Sequence, residues 1–342
     1  MINVEKNKNL KEYNTFGIDV NTKLYINIEN TIDILESIKF IKNENITNIF
    51  VLGGGSNILF MGTFNGLILH INTRGITIIS ENDKEVYIKA EAGEKWNNLI
   101  QFCIEHNFWG LENLSMIPGK VGSSPVQNIG AYGTEVKDVI YELDAYDIFS
   151  GEKKIFKNKD CDFGYRRSIF KDKLRNKFII SSVTYKLSKI PKPNISYKGL
   201  GEELQKSGGD IYNINDIFKS VCKIRNTKLP NPDIIGNAGS FFKNPLVSSS
   251  KLADILREFP DVVYFIQDDG KVKLAAAWLI EKCGWKGKSW GNAAIYEKQP
   301  LVLINKGGAS SQEIMNLANK IIEDVYSKFD VELEIEVNIV AS

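Results

Sequence analysis

Ser240 stands in the run GNAGSFFKNP, residues 236–245, between a glycine turn and two phenylalanines. Just upstream, CKIRNTKLPNP supplies Arg225 and Lys228. A loop that only turns needs the glycine and the proline; a placed hydroxyl near two cations suits an anionic ligand and a proton transfer. No G-x-S-x-G elbow surrounds Ser240, and the chain has only two histidines, His70 and His106, so a Ser-His-acid hydrolase is not expected. Ser240 is therefore either a turn hydroxyl capping backbone or a proton donor with a charged neighbour. The segment CDFGYRRSIFK places Arg166 and Arg167 behind Tyr165. Such a pair is either solvated or has one guanidinium turned inward toward an anion. Glu336 poses the same alternative. In VELEIEVNIV, alternation puts Val331, Leu333, Ile335, Val337 and Ile339 on one face, with Glu332, Glu334, Glu336 and Asn338 on the other. That second face is either solvated or holds a buried carboxyl that needs a partner or a proton.

Two glycine-rich loops accompany these groups, Gly53 to Asn57 and Gly119 to Gly133. Successive backbone N–H groups in such loops form an anion nest, and missing side chains let a diphosphate approach. Ser56, Asn57, Ser123, Ser124, Gln127 and Asn128 add polar donors, so a bound diphosphate cofactor is a real alternative to two ordinary turns. The first loop is not a dinucleotide fingerprint. In that motif a helix opens directly on the glycines, whereas here Ile58, Leu59 and Phe60 follow, which predicts strand, loop, strand.

The elements that must position these groups are mixed. Helices are expected over TIDILESIKFIKNEN, KWNNLIQFCIEHN, DIFKSVCKIRNTKLP, SSSKLADILREF, KLAAAWLIEKCGW and SSQEIMNLANKIIEDVYSKF, the last with a Ser N-cap. Short strands are expected between residues 66 and 100 and again from 138 to 187, and KIPKPNISYKGLGEEL reads as a loop or linker. The fold class is α+β with at least two lobes.

Composition narrows the classes further. The chain has 342 residues with 43 basic against 42 acidic side chains, a balance that argues against nucleic-acid wrapping. Cys103, Cys161, Cys222 and Cys283 are widely spaced with no C-x-x-C pair, so neither a disulfide framework nor a metal site is expected. No run approaches membrane-spanning length and the N-terminus lacks an apolar signal core, which makes a cytoplasmic location the expectation.

Together, NTFGID, LGGGSNILF, IPGKVGSSPVQNIGAYG, FGYRRSIFK, TKLPNP, GNAGSFFKNP and LEIEV occur in the order seen in one family. From about residue 14 to 340 the chain resembles the UDP-N-acetylenolpyruvoylglucosamine reductases, flavoproteins of peptidoglycan precursor synthesis. The resemblance implies a VAO/PCMH-like FAD-binding fold of two lobes, 1–70 and 71–228 with 328–342, plus a smaller α+β substrate-binding domain at 229–327. It implies FAD as cofactor and NADPH as co-substrate, a nucleotide-sugar substrate, a monomer, and no nucleic-acid or membrane partner. Arg166, Ser240 and Glu336 match the family's catalytic positions. The implied cofactor contacts are Gly53, Gly54, Gly55, Ser56, Asn57, Pro118, Gly119, Gly122, Ser123, Ser124, Gln127, Asn128, Gly130, Ala131, Tyr132 and Arg225. The implied substrate contacts are Tyr165, Tyr197, Lys228, Asn244, Lys286 and Gln299, of which Tyr197 belongs to the loop that marks the longer, type I branch. Three positions depart from the family's pattern: Asn338 where Arg is usual, Arg167 where an acidic or small residue is common, and Ile335 for a frequent Pro. The enzyme alternative is another VAO-like oxidase, marked by oxygen consumption; the non-enzyme alternative is a nucleotide-sugar binding protein without flavin.

Overall fold

The structure is a computed structural model that describes residues 2–206, 212–267 and 270–341. Two compact units emerge, one of Met1–Lys8, Thr22–Gly54 and Asn65–Arg225, the other of Asn9–Asn21, Gly55–Phe64 and Asn226–Ser342.

The first unit holds two large sheets. One is four-stranded in the order Val4–Asn9, Asn21–Ile28, Phe64–Ile71, Ile49–Leu52, the last two strands running parallel. The helix Thr31–Asn43 opens on Asn30, whose side chain accepts from the Asp33 amide, and buries Ile34, Ile38 and Ile41 at helical spacing. The other sheet is antiparallel, ordered Lys153–Lys157, Ile140–Asp147, Phe178–Ser188, Glu85–Glu91, Ile76–Glu81. Along Glu85–Glu91 the alternation EVYIKAE becomes Val86, Ile88 and Ala90 in the core, facing the helix Trp96–Glu105 and the buried ring of Tyr185. Trp96 packs edge-on to Tyr185 and donates its indole N–H to the Leu114 carbonyl at 2.8 Å, so its one polar atom is satisfied.

The second unit centres on an antiparallel sheet ordered Gly236–Ser240, Val302–Asn305, Ala293–Ile295, Ser289–Trp290. Against it lies the helix Ser311–Phe329, started by a reciprocal Ser310–Glu313 capping box and burying Ile314, Leu317, Ile321 and Val325. The NTFGID segment belongs here. The Asn237 amide donates to the Thr15 carbonyl at 2.9 Å, the Thr15 hydroxyl donates to the Asn237 carbonyl at 2.6 Å, and Phe16 meets Phe241 edge-on at 6.2 Å.

Two expectations change. The stretch read as a linker contains a helix, Lys198–Gln205, with Leu200 and Leu204 buried. The tail is not one alternating strand: Val331 and Leu333 enter the second unit's core, Ile335 bridges Phe242, and only Asn338–Val340 forms a strand, parallel to Ile58–Phe60. Residues 328–342 belong to the same compact unit as 226–327. After Gly53, strand Ile49–Leu52 passes through a loop to strand Ile58–Phe60, and no helix opens there. Among the described residues no helix is long and apolar enough to cross a membrane, and no cluster of His, Cys, Asp and Glu is arranged to hold a metal.

Candidate active site

In the second unit, the strand Gly236–Ser240 ends with an irregular register between Asn237 and Ser240, and Gly239 has φ +71°. A side chain at Gly239 meets nothing within 4 Å, so glycine is required there for its backbone angle and not for space. The kink leaves Ser240 half-buried at the strand end, while Phe241 and Phe242 are fully buried and pack edge-on at 5.3 Å. The two rings anchor the turn that carries the hydroxyl.

Beside it runs the segment that carries Glu336. The Glu336 amide donates to the Phe241 carbonyl at 2.8 Å, and the Lys243 amide donates to the Glu334 carbonyl at 2.8 Å. Ser240 and Glu336 thus lie on neighbouring backbone segments, one residue away from a shared hydrogen bond. Glu336 is only 8% exposed, against the solvated face that simple alternation offered. Asn338 donates both its backbone N–H and its side-chain amide to the Asn57 carbonyl at 3.0 Å, and the Asn57 amide reaches the Glu336 carbonyl at 3.5 Å. The residue that departs from the family's Arg therefore ties Glu336 to the end of the first glycine loop.

In the first unit, the tandem arginines separate. Arg167 is half-exposed and pairs with Asp172 at 2.5 Å and Asp162 at 3.4 Å. Arg166 has φ +54°, an uncommon backbone conformation for a long side chain. Its guanidinium donates to the Gly130 carbonyl at 2.8 Å and sits 5.5 Å from the centre of the Tyr165 ring. A side chain on Gly130 would come within 3.1 Å of that guanidinium. Asn128, fully buried, holds the turn in place: it donates to the Gly164 carbonyl at 2.9 Å and to Glu135 at 3.1 Å, and accepts from the Lys137 amide.

The glycine loops divide by purpose. A Cβ on Gly54 would lie 2.8 Å from Gly119 Cα, and one on Gly122 would lie 2.5 Å from Ala92 Cβ, so these two glycines are demanded by packing. Gly53 differs, because a Cβ there finds Ser123 Cβ at an ordinary 3.5 Å. The protein's own packing does not demand glycine at 53. The amides of Val121, Gly122, Ser123 and Ser124 go to the carbonyls of Glu94, Ala92, Lys120 and Val121, so this stretch is not an open nest. Ser123 and Ser124 are also committed, to the Lys120 carbonyl at 2.7 Å and the Tyr185 hydroxyl at 3.0 Å. What the region offers an anion is the unfilled space at Gly53 and a buried cation, Lys120. These features fit a diphosphate.

Tyr132, at φ +50°, meets Tyr197 edge-on at 5.2 Å and hydrogen-bonds Arg225. Burial raises the Tyr132 phenol and lowers the Arg225 guanidinium from their ordinary values. Asn113, which sequence reasoning passed over, donates at 2.8 Å to the carbonyls of both Tyr132 and Asn194 and so fastens the Tyr197 loop to this turn. Of the expected substrate contacts, Asn244 accepts from the Ala276 amide at 2.9 Å, Lys286 pairs with Glu281 at 2.8 Å, and Lys228 is exposed at the end of the helix Ile214–Lys228. Gln299 accepts from the Val302 amide through its carbonyl at 3.0 Å.

Residues 230–340 match the family model described as UDP-N-acetylenolpyruvoylglucosamine reductase, C-terminal domain, and residues 22–152 match that of an FAD binding domain. The chain is 43% identical over 338 residues to the UDP-N-acetylenolpyruvoylglucosamine reductase of Flavobacterium johnsoniae, covering 98% of this chain and 99% of that one. It is 44% identical to the protein of that name from Pseudomonas savastanoi pv. phaseolicola, covering 99% of both chains. Among solved structures, the reductase (MurB) from Thermus caldophilus aligns with a TM-score of 0.67 at 20% identity, over 99% of this chain and 98% of that one. That likeness carries the fold, an α+β architecture.

Proposed function

The chain belongs to the UDP-N-acetylenolpyruvoylglucosamine reductase family, and we propose that Ser240, Glu336 and Arg166 carry the family's reaction here. The protein is an FAD-dependent oxidoreductase of peptidoglycan precursor synthesis. It reduces the enolpyruvyl ether of UDP-N-acetylglucosamine to the lactyl ether of UDP-N-acetylmuramate, with NADPH as the reductant. We take it to act as a cytoplasmic monomer on small molecules.

FAD, when bound, carries hydride from NADPH to the enol ether. The residues of this chain manage the charge and the proton. Hydride addition leaves negative charge on the carbon next to the substrate carboxylate, and that carbon must gain a proton. Ser240 gives it: the hydroxyl sits at a strand end whose backbone is anchored by Phe241 and Phe242, so the turn is in place before substrate arrives. Glu336, buried beside the same turn, is the carboxyl group assigned to the substrate's enolpyruvyl end. Arg166 carries a permanent charge, and its guanidinium is oriented by the Gly130 carbonyl and the Tyr165 ring, which suits it to offset the developing anion. Asn338, Asn57 and Asn128 act on these groups by position. Tyr165, Tyr197, Lys228, Asn244, Lys286 and Gln299 are assigned to the nucleotide sugar, and the two glycine loops with Tyr132 and Arg225 to FAD.

The observation that carries the assignment is the hydrogen bond from the Glu336 amide to the Phe241 carbonyl, which sets a buried carboxyl next to the Ser240 turn. The test is to resolve the half-reactions in Ser240→Ala and Glu336→Gln by anaerobic stopped flow. Both variants should be reduced by NADPH at wild-type rate, while reoxidation by the enolpyruvyl nucleotide slows by about 10²–10⁴-fold for Ser240→Ala. Equal slowing of both halves in a variant that still holds FAD contradicts the assigned roles.

A further inference from the structure

A buried polar chain underlies the glycine loops of the first unit. Lys120 is 8% exposed, and its ammonium donates to the Ile71 carbonyl at 2.6 Å, to His70 Nε2 at 2.8 Å and to Asn72 Oδ1 at 3.3 Å. His70 Nδ1 lies 2.7 Å from the Tyr25 hydroxyl, and the ring is also hydrogen-bonded to the backbone of Gly53. The ammonium donating to Nε2 assigns a neutral His70 with its proton on Nδ1. Burial, then the charges of Lys120 and Arg74, hold His70 down to about 3, in keeping with that tautomer.

The surroundings of Lys120 are one-sided. Arg74 and Lys95 press on it with like charge, and Lys8 lies 5.3 Å from the centre of the Tyr25 ring. The nearby carboxylate, Glu94, is 3.7 Å from Arg74 and accepts from the Gly75 and Lys95 amides and from Asn98. Among the described residues no carboxylate pairs with Lys120. A buried ammonium with no counter-charge is held against a large desolvation cost. Burial first, then Arg74 and Lys95, bring Lys120 down to about 8. Its location says what would relieve it. Lys120 follows Gly119, which abuts Gly54, and a Cβ on Gly53 would be 4.0 Å from Lys120 Cβ. The Lys120 stem therefore starts beside Gly53, a glycine that the protein's own packing does not demand, and its ammonium reaches the His70 ring that is hydrogen-bonded to the Gly53 backbone.

We propose that Lys120 is a titrating counter-charge for the FAD diphosphate, so that binding the cofactor takes up a proton at this buried lysine. The inference rests on FAD placing its diphosphate at these loops. Below about pH 8 the ammonium is already formed and binding is insensitive to pH; above it, each molecule of FAD must bring a proton to Lys120.

The experiment titrates FAD into the flavin-stripped full-length protein by calorimetry across pH, in buffers of different ionisation heat. The wild type should take up about half a proton near pH 8 and bind FAD about tenfold more weakly two pH units above neutral. Lys120→Met should bind more weakly at neutral pH, with no proton uptake and no slope. Lys120→Arg should restore affinity and stay flat, since guanidinium does not titrate in this range. A wild type with no proton uptake near pH 8 overturns the proposal without recourse to any variant. So does Lys120→Met with wild-type affinity and slope. A wild type that takes up no FAD at any pH overturns the cofactor reading itself, and this inference with it.

Discussion

Gly54 and Gly53 are adjacent, yet alanine should act on them in opposite ways. In Gly54→Ala the new Cβ lies 2.8 Å from Gly119 Cα and 3.2 Å from Gly119 C. Carbon atoms rest at about 3.5–4.0 Å, so the two loops must part by roughly 0.7–1.2 Å. Both partners are backbone, so no rotamer change relieves the overlap. Overpacking of this kind costs about 1–3 kcal/mol. For a domain of this size that lowers Tm by roughly 2–12 °C. Gly53→Ala meets Ser123 Cβ at 3.5 Å and Ser123 Oγ at 3.6 Å, ordinary contacts. Its cost to the flavin-free protein should be within about 0.5 kcal/mol, while FAD affinity falls because the methyl occupies space assigned to the cofactor. The assay is thermal melting of both flavin-stripped variants followed by FAD titration. A Gly54→Ala protein that melts with the wild type would refute the loop contact. A Gly53→Ala protein with wild-type FAD affinity would refute the purpose given to that glycine.

Other consequences can be checked separately. His70 is held at about 3 in the fold against 6.5 unfolded, so between these values the unfolded chain binds a proton that the folded one does not. Stability should fall as pH drops through that window, and His70→Asn should flatten the fall, read from urea midpoints at neutral and acid pH. Asn113→Ala removes the donor to the half-buried carbonyls of Tyr132 and Asn194, at a cost of about 0.5–1.5 kcal/mol for each hydrogen bond. Trypsin should then cut faster at Lys198, which is followed by Gly199, and an unchanged cleavage rate would show that Asn113 does not hold the loop.

Much of the frame is readable in the residues because local chemistry dictates it. Ser310 and Glu313 announce the helix Ser311–Phe329, and Ile58 to Phe60 after the glycines exclude a helix-opening fingerprint. The site was less readable where a residue's surroundings come from distant parts of the chain. Glu336 follows a polar alternation, but the segment changes partners at Ile335, from Phe242 to the strand Ile58–Phe60, and the carboxyl turns inward. Arg166 and Arg167 are equivalent in sequence; the left-handed backbone of Arg166 and the two aspartates at Arg167 separate them. Gly122 reads as part of an anion nest, whereas Ala92, thirty positions earlier, is what requires it. Lys120 is one cation in a glycine loop until His70 and Asn72 close around its ammonium.

The most direct test of the central claim is the visible absorbance of the purified protein under anaerobic conditions. A flavin band should be present, should bleach on adding NADPH, and should return on adding UDP-N-acetylglucosamine enolpyruvate in the absence of oxygen. A protein that binds added FAD and is bleached by NADPH but is not reoxidised by the enolpyruvyl nucleotide would contradict the reaction assigned here.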